Sequence, residues 1–517
     1  MLPVLAVLLV LAGIAAAVVY VQSQRASDER RRTAAKAFVA AWEKRDVQAL
    51  WTLSEHAGRP SLEAFTRAYA QADRAAGTRA VTVGRPGPLR DGAVRVPVVI
   101  RTDDFGALRG TVALPTVDED GRGRIRWTPQ LRLPGLRASE RPRRTAGEAP
   151  DRGEVLAADG TRLADDAIGV GIAGVPGDGK TPPTGLERIY DDRLGGHPAE
   201  TLRFGSRVIK RVPRVRGRSV HSTIDLGLTR DAQAALGERA GGVAVIRPRD
   251  GAVLALAGLA VSAPQAPGST YKIITVSGAL QAGITDPSES FPARQYATLS
   301  GVKLYNASSE TCGGSLVASF VHSCNSVFAP LGAELGRKRL VAISERFGFN
   351  EAPTEIPAAK PSQIATDLRD DLAVGAAAIG QDRDLATPLQ MASVGATIAN
   401  RGVRITPRIV REQDSERRRV VRRSVAGQVR DMMVGVVRGG TGTAAALPGV
   451  TVAGKTGTAE LVPTQGGPVN PENTNAWFVA FAPAGDPELA VAVLLLRAGQ
   501  GGTTAAPIAR AVLSAGL

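Results

Sequence analysis

Apolar side chains recur at helical spacing between residues 27 and 80, where Ala37, Phe38, Ala41, Trp42, Leu50 and Leu53 mark one face after another. From 81 to 136 the period changes to that of strands. Val94, Val96, Val98 and Ile100 alternate with polar neighbours, Val112, Leu114 and Ile125 follow, and the run closes at Trp127 and Leu133-Pro134-Gly135-Leu136. Pro97 cannot donate to a ladder, so its strand is expected at a sheet edge or with a bulge. Helices followed by a curved sheet predict a small α+β domain over 27–136. Residues 137–150, RASERPRRTAGEAP, lack large apolar side chains and predict a linker. From 237 onward two strands precede a long helical region; strands return near 449–496, and a last helix starts at about 504, the order of a sheet flanked by a helical subdomain. No internal repeat interrupts this succession.

The first 21 residues, MLPVLAVLLVLAGIAAAVVYV, carry no charge. As a helix they would reach ~31 Å, enough to cross a bilayer core, and they predict an uncleaved transmembrane anchor over 1–24. Arg25, Arg30, Arg31 and Arg32 follow this segment, which by the positive-inside rule alone would keep the remainder in the cytoplasm; long domains obey that rule weakly, and the chemistry below favours export. A chain of 517 residues suggests roughly three domains. The net charge of +15 is spread along the chain, and no RNA-recognition, zinc-finger or helix-turn-helix signature accompanies it, so no nucleic-acid partner is expected. The four histidines show no ligand spacing, so neither a metal nor a cofactor is expected. Cys312 and Cys324, twelve apart, permit one disulfide in an exported protein and otherwise read as two buried thiols.

Three short motifs carry the candidate chemistry. Ser269-Thr270-Tyr271-Lys272 follows Ala266-Pro267-Gly268, which sets Ser269 at the first turn of a helix, where the dipole favours a developing alkoxide. Lys272 falls on the same face, and a desolvated amine with a lowered pKa can act as base for the serine. Ser323-Cys324-Asn325 sits between apolar helical stretches: its hydroxyl could relay a proton and its amide could hold a peptide carbonyl and the Lys272 amine. Lys455-Thr456-Gly457-Thr458 follows β-branched residues that predict a strand, with Gly457 expected to keep the strand surface flat for an extended peptide. Lys455 would add positive potential, favouring a substrate carboxylate and a neutral Lys272 together. Each motif alone is weak. Gly449 to Thr456 also matches a phosphate-binding loop, but Val-Thr-Val should extend as strand, and too little chain follows for a nucleotide-binding sheet.

In this order, with separations of roughly fifty and 130 residues, S-x-x-K, S-x-N and K-T-G resemble the three motifs of penicillin-binding proteins. The likeness extends to AAIGQDRDLATPLQMASVGATIANRG (377–402), GGTGTAAALPGV (439–450) and AWFVAFAP (476–483). It implies a transpeptidase domain over 237–517, of the β-lactamase-like fold with an antiparallel sheet flanked by helices. Arg152-Gly153-Glu154-Val155-Leu156 and STIDLGLTRDAQAAL (222–236) resemble the dimerisation or pedestal domain and its exit, implying such a domain over 151–236. AAKAFVAAWEKRDVQALWTL and RWTPQLRLPGL resemble the NTF2-like amino-terminal domain of MecA-type proteins. No glycosyltransferase domain fits between anchor and pedestal, so class B is implied. The resemblance makes Ser269 the acylated nucleophile, Lys272 its base, Ser323 and Asn325 the relay and placement groups, Lys455 and Thr456 the carboxylate site, and the N–H groups of Ser269 and Thr458 the oxyanion hole. It also implies a single-pass membrane protein with an extracytoplasmic catalytic domain, peptidoglycan stem peptides and β-lactams as ligands, and a cell-wall synthesis complex containing a glycosyltransferase. A D,D-carboxypeptidase, or a β-lactam-binding sensor or scaffold, is the alternative.

Overall fold

The computed structural model describes residues 2–353, 355–462 and 468–517, without the side chains of residues 2–9. Contacts divide the chain into two units: Met1–Arg152 with Gly195–Gly217, and Gly153–Leu194 with Arg218–Leu517. In the first unit a helix runs over Leu2–Glu43, and among the described residues no helix is long and apolar enough to cross a membrane. The anchor expected over 1–24 includes Met1 and side chains that lie outside the described residues. Helix Leu62–Ala76 is closed by the Ser61 side chain, which accepts from Ala64 N, and by left-handed Gly77. Phe38, Trp42, Phe65 and Tyr69 then pack on the buried face of an antiparallel sheet, where Val94, Val96, Val98 and Ile100 alternate inward as their spacing predicts.

Two expectations change in this unit. Ala93–Thr102, the strand that holds Pro97, is not at an edge: it pairs with Thr78–Val83 and Leu89–Arg90 on one side and with Ala107–Glu119 on the other, and the register shift in its pairing lies between Thr78 and Ala80, opposite Thr102 and Arg101 rather than at Pro97. Proline is tolerated because the neighbour ends opposite it. Thr78–Val83 stops at the Val83–Val98 pair, Leu89–Arg90 starts at Val94, and Gly84 N donates to the Pro97 carbonyl across the gap. The linker expected over 137–150 contributes strand Pro142–Ala146, which pairs with Glu200–Phe204, itself paired with Arg207–Val212. The segment expected as one pedestal domain over 151–236 is thereby divided between the units.

The second unit is built on five antiparallel strands: β1 (Gly241–Arg247), β2 (Ala252–Gly258), β3 (Ala453–Glu460), β4 (Thr474–Ala482) and β5 (Leu489–Leu495), in the order β2-β1-β5-β4-β3. Both faces of the sheet are covered, which explains why β4 and β5 read as unbroken apolar runs rather than alternating ones. Val243, Val245, Phe478 and Val491 face helices Leu226–Leu236 and Gly501–Gly516. Ala244, Ile246, Val479 and Leu494 face a larger helical core. In that core lie α1 (Lys272–Ala282), α2 (Leu316–Val321), α3 (Asn325–Leu335) and α4 (Pro388–Ala399). Helix α1 is buried on every side from Lys272 to Leu280, so it is the fixed post of this unit.

Candidate active site

Ser269 lies in a short 3-10 turn, Gly268–Tyr271, that runs directly into α1. Side chains three apart eclipse in such a turn, which puts Ser269 and Lys272 on one side. The turn is tied at several points. Gly268 N donates to Gly380 O, Thr270 Oγ1 to Pro267 O at 2.7 Å, and Trp477 Nε1 of β4 to Ala266 O at 2.8 Å. The buried Tyr271 hydroxyl bonds Ser344, and its ring meets Phe349 edge-on at 5.4 Å. Gly268 has φ +52, and a Cβ there would lie 2.8 Å from the Thr458 carbonyl, so only glycine lets the turn approach edge strand β3 this closely.

The other side of that approach corrects the reading of Gly457. A Cβ at Gly457 would lie 2.8 Å from Pro267 O and 2.9 Å from Thr270 Cγ2 and Trp477 Cβ. The missing side chain faces the serine turn and the neighbouring strand, so it makes room for packing behind the strand rather than for a peptide in front of it.

Ser323 links α2 to α3. Its φ is +63, and the chain leaves α2 through a Schellman arrangement: Ser323 N donates to Phe320 O and Cys324 N to Ser319 O. Glycine usually fills that left-handed position. Serine there holds its hydroxyl and carbonyl toward Lys272, whose Nζ donates to Ser323 O at 2.7 Å, to Ser323 Oγ at 3.3 Å and to Asn325 Oδ1 at 2.6 Å. Lys455 Nζ, from β3, donates to Ser323 Oγ at 2.8 Å and to Thr456 O at 3.1 Å. Asn325 in turn donates to Tyr305 O at 2.8 Å. Lys272, Ser323, Asn325 and Lys455 thus form one bonded cluster, with Ser269 one turn before Lys272. Among the described residues none hydrogen-bonds the Ser269 hydroxyl; the base expected for it is turned to the carbonyl oxygens of Ser323 and the Asn325 side chain, stronger acceptors than a neutral hydroxyl.

Both amines are fully buried, whereas Ser269, Ser323, Asn325 and Thr458 are half-buried and reachable. Burial, and after it the charge of Lys455, hold Lys272 well below the ordinary lysine value. Burial alone pushes Lys455 down to about 7. The faces of Phe328 and Phe320 lie 5.6 and 5.5 Å from the two nitrogens. A lysine pair that among the described residues meets no carboxylate offers a neutral amine beside a hydroxyl that a second amine also touches, the equipment for moving a proton.

Residues 241–514 match the family described as the penicillin binding protein transpeptidase domain. The chain belongs to that family. The chain is 38% identical over 283 residues to a peptidoglycan D,D-transpeptidase PbpA of Mycolicibacterium smegmatis, covering 50% of this chain and 56% of that protein. It therefore spans little more than half the length of that relative. Penicillin-binding protein A of M. tuberculosis, solved as a penicillin G acyl-enzyme complex, superposes with a TM-score of 0.60 at 28% identity, covering 71% of this chain and 99% of that one. The D,D-transpeptidase domain of a peptidoglycan glycosyltransferase from Eggerthella lenta gives a TM-score of 0.60 at 28% identity, over 71% and 98% of the two chains.

Two neighbours of the cleft escape motif reading. Thr441 shares a 2.6 Å hydroxyl contact with Thr456 and donates its N–H to Val321 O, tying the end of α2 to the strand. Its signal was the family-like stretch 439–450. Asp384 is buried in the loop whose Gly380 and Ala386 carbonyls hold Gly268 and Gln265, and neither of its oxygens meets hydrogen-bond geometry with a described residue. Burial raises its carboxyl well above the usual range.

Proposed function

We propose that this protein is a class B peptidoglycan D,D-transpeptidase that acylates Ser269 with the D-Ala-D-Ala end of a stem peptide and passes the acyl group to an amine. The observation that carries the reading is the buried pair of amines, Lys272 and Lys455, meeting on the Ser323 hydroxyl beside the serine turn. On substrate entry Lys272 exchanges an acceptor for Ser269 Oγ, takes its proton, and the alkoxide attacks the penultimate carbonyl; contacts of this kind often tighten only in the complex. The N–H groups of Ser269 and Thr458 receive the oxyanion, an effect worth about 3 to 4 kcal/mol per donor. The proton then passes from Lys272 through Ser323 to the departing D-Ala amine, and an acceptor amine reverses the path. The substrate carboxylate lies by Lys455 and Thr456; its charge raises the Lys455 pKa and leaves Lys272 neutral. β-Lactams acylate the same serine.

The reading includes an anchor at the amino terminus, export of both units, an NTF2-like first unit, and assembly with a glycosyltransferase. The exposed apolar series Val10, Leu11, Ile14, Val18, Val19 and Val21 on the first helix supports the anchor alone; the other three parts rest on the sequence likeness. A fluorescent penicillin should label the protein covalently, and Ser269→Ala should abolish labelling; labelling retained in the variant refutes the assignment. A D-Ala-D-Ala stem peptide offered with an amine acceptor should give cross-linked product, whereas hydrolysis alone would make the enzyme a carboxypeptidase.

A further inference from the structure

We propose that the Cys312–Cys324 disulfide is a positioning clamp that holds Ser323 and Asn325 against the two lysines, and that opening it slows acylation of Ser269. The inference rests on the acyl-transfer reading of the cleft and adds a role for the residue between the two polar members of S-x-N. Cys324 is that residue, bonded to Cys312 with the Cα atoms 5.4 Å apart.

The joint it occupies needs holding. Ser323 adopts a left-handed conformation that serine disfavours, and such residues persist only where the surroundings over-determine them. On the α2 side, two backbone bonds fix it. On the α3 side, Cys324 is the cap residue yet its side chain makes no capping bond, because the sulfur is spent on the bridge. The bridge fastens this end to strand Cys312–Ser315, and a polar knot works beside it: Ser326 N donates to Asn306 Oδ1 at 2.8 Å and Ser326 Oγ to Cys312 O at 3.2 Å. The knot binds Ser326, one residue past Asn325, and Tyr305 O holds the Asn325 amide; apart from its bonds to the two lysines it serves, Ser323 is held in place by the bridge and by α2. Misplacement of a catalytic group by about 1 Å can cost ~100-fold in rate. With the knot still in place, loss of the bridge is expected to cost about tenfold.

Opening consumes two electrons and two protons: a dithiol closes to its own disulfide while the two protein sulfurs become thiols. Both sulfurs are buried, so substitution is the faster route. The second-order rate of labelling by a fluorescent penicillin is measured against pH, with melting temperature alongside, for the full-length protein, Cys312→Ala, Cys324→Ala and the double variant. All three variants should lose about tenfold in rate, the double no more than either single. The acid limb should move to higher pH, because a loosened joint admits water to Lys272. Dithiol-treated wild type should behave alike and recover on reoxidation, which decides the matter if the variants do not fold. An unchanged rate and unchanged pH midpoint overturn the clamp, as does a lower melting temperature with neither altered. Failure of the oxidised wild type to label overturns the acyl-transfer reading itself.

Discussion

In the first unit Arg207 grips Glu140 through contacts of 2.6 and 2.5 Å, and Arg126 meets Glu55 at 2.8 Å. In the second, Lys272 and Lys455 are fully buried, and among the described residues no carboxylate pairs with either; their acceptors are Ser323, Asn325 and backbone carbonyls. The first pattern is the ordinary way to place a cation, paired and near water. The second is costly, since an ion taken from water without a counter-charge loses several kcal/mol. The cost is reduced by shedding the proton, and both lysines are accordingly depressed. Folding alone has no use for such an arrangement, whereas acid–base chemistry near neutrality does.

The largest expected effect that would break this contrast comes from Lys272→Met, which keeps the unbranched apolar stem of the side chain and removes the amine. Acylation by penicillin should fall by about 10²- to 10⁴-fold. The same variant should be more stable than wild type at pH 7. The unfolded chain holds this proton up to pH 10.5 while the folded protein releases it at a lower pH, so wild-type stability declines as pH falls below 10.5 and levels off below the folded value. Melting curves at pH 7 and pH 10 test it: a gain as large at pH 10 as at pH 7 would mean that proton release is not its source. Lys455→Met should follow, with acylation by carboxylate-bearing β-lactams about 10- to 100-fold slower. Its stability gain should develop between pH 10.5 and about 7, the window set by the depressed value.

Much of the second unit is legible in its sequence. The three motifs are local signals of residue type and spacing, and the sheet strands announce themselves by apolar runs. What escaped depends on neighbours. Strand Pro142–Ala146 has no buried residue, so no apolar alternation betrays it, and its arginines and proline look like linker. Pro97 sits in a central strand because two short strands leave a gap opposite it, which no property of the proline itself reveals. Lys272 and Ser269 are neighbours by spacing, but the amine points to Ser323 because that residue's left-handed backbone presents a carbonyl there. The burial of Asp384, offset only in part by the Ala365 backbone, is likewise set by residues distant in sequence.

Asp384 sharpens the comparison by adding a buried acid to the buried bases. Its folded pKa is raised, so the folded protein keeps a proton that the unfolded chain loses near pH 3.8, and stability drains as pH climbs from there toward the folded value. Asp384→Asn removes the titration while keeping shape. The variant's melting temperature, minus that of wild type, should increase from pH 4 to pH 8. A difference flat across that range would mean that the carboxyl is charged in the fold or solvated.

The smallest effect is expected from the first unit. Arg207 holds the Glu140 carboxyl down to about 2, so whatever the pair contributes is present above pH 4.5 and is lost as pH falls through about 2. The arginine is about a third exposed, with a side-chain accessibility of 34%, and water and salt screen a pair of that kind, whose worth in most proteins is slight. Arg207→Ala should therefore move the melting temperature by no more than a few degrees at pH 7, less in high salt, and leave penicillin acylation at the wild-type rate. The proximity of Glu140 to Arg207 is tighter than that of any group to Lys272, with two charged contacts against three bonds to neutral acceptors. If Arg207→Ala nonetheless destabilised as much as Lys272→Met stabilises, contact strength would govern both units, and the distinction drawn between paired and unpaired cations would fall.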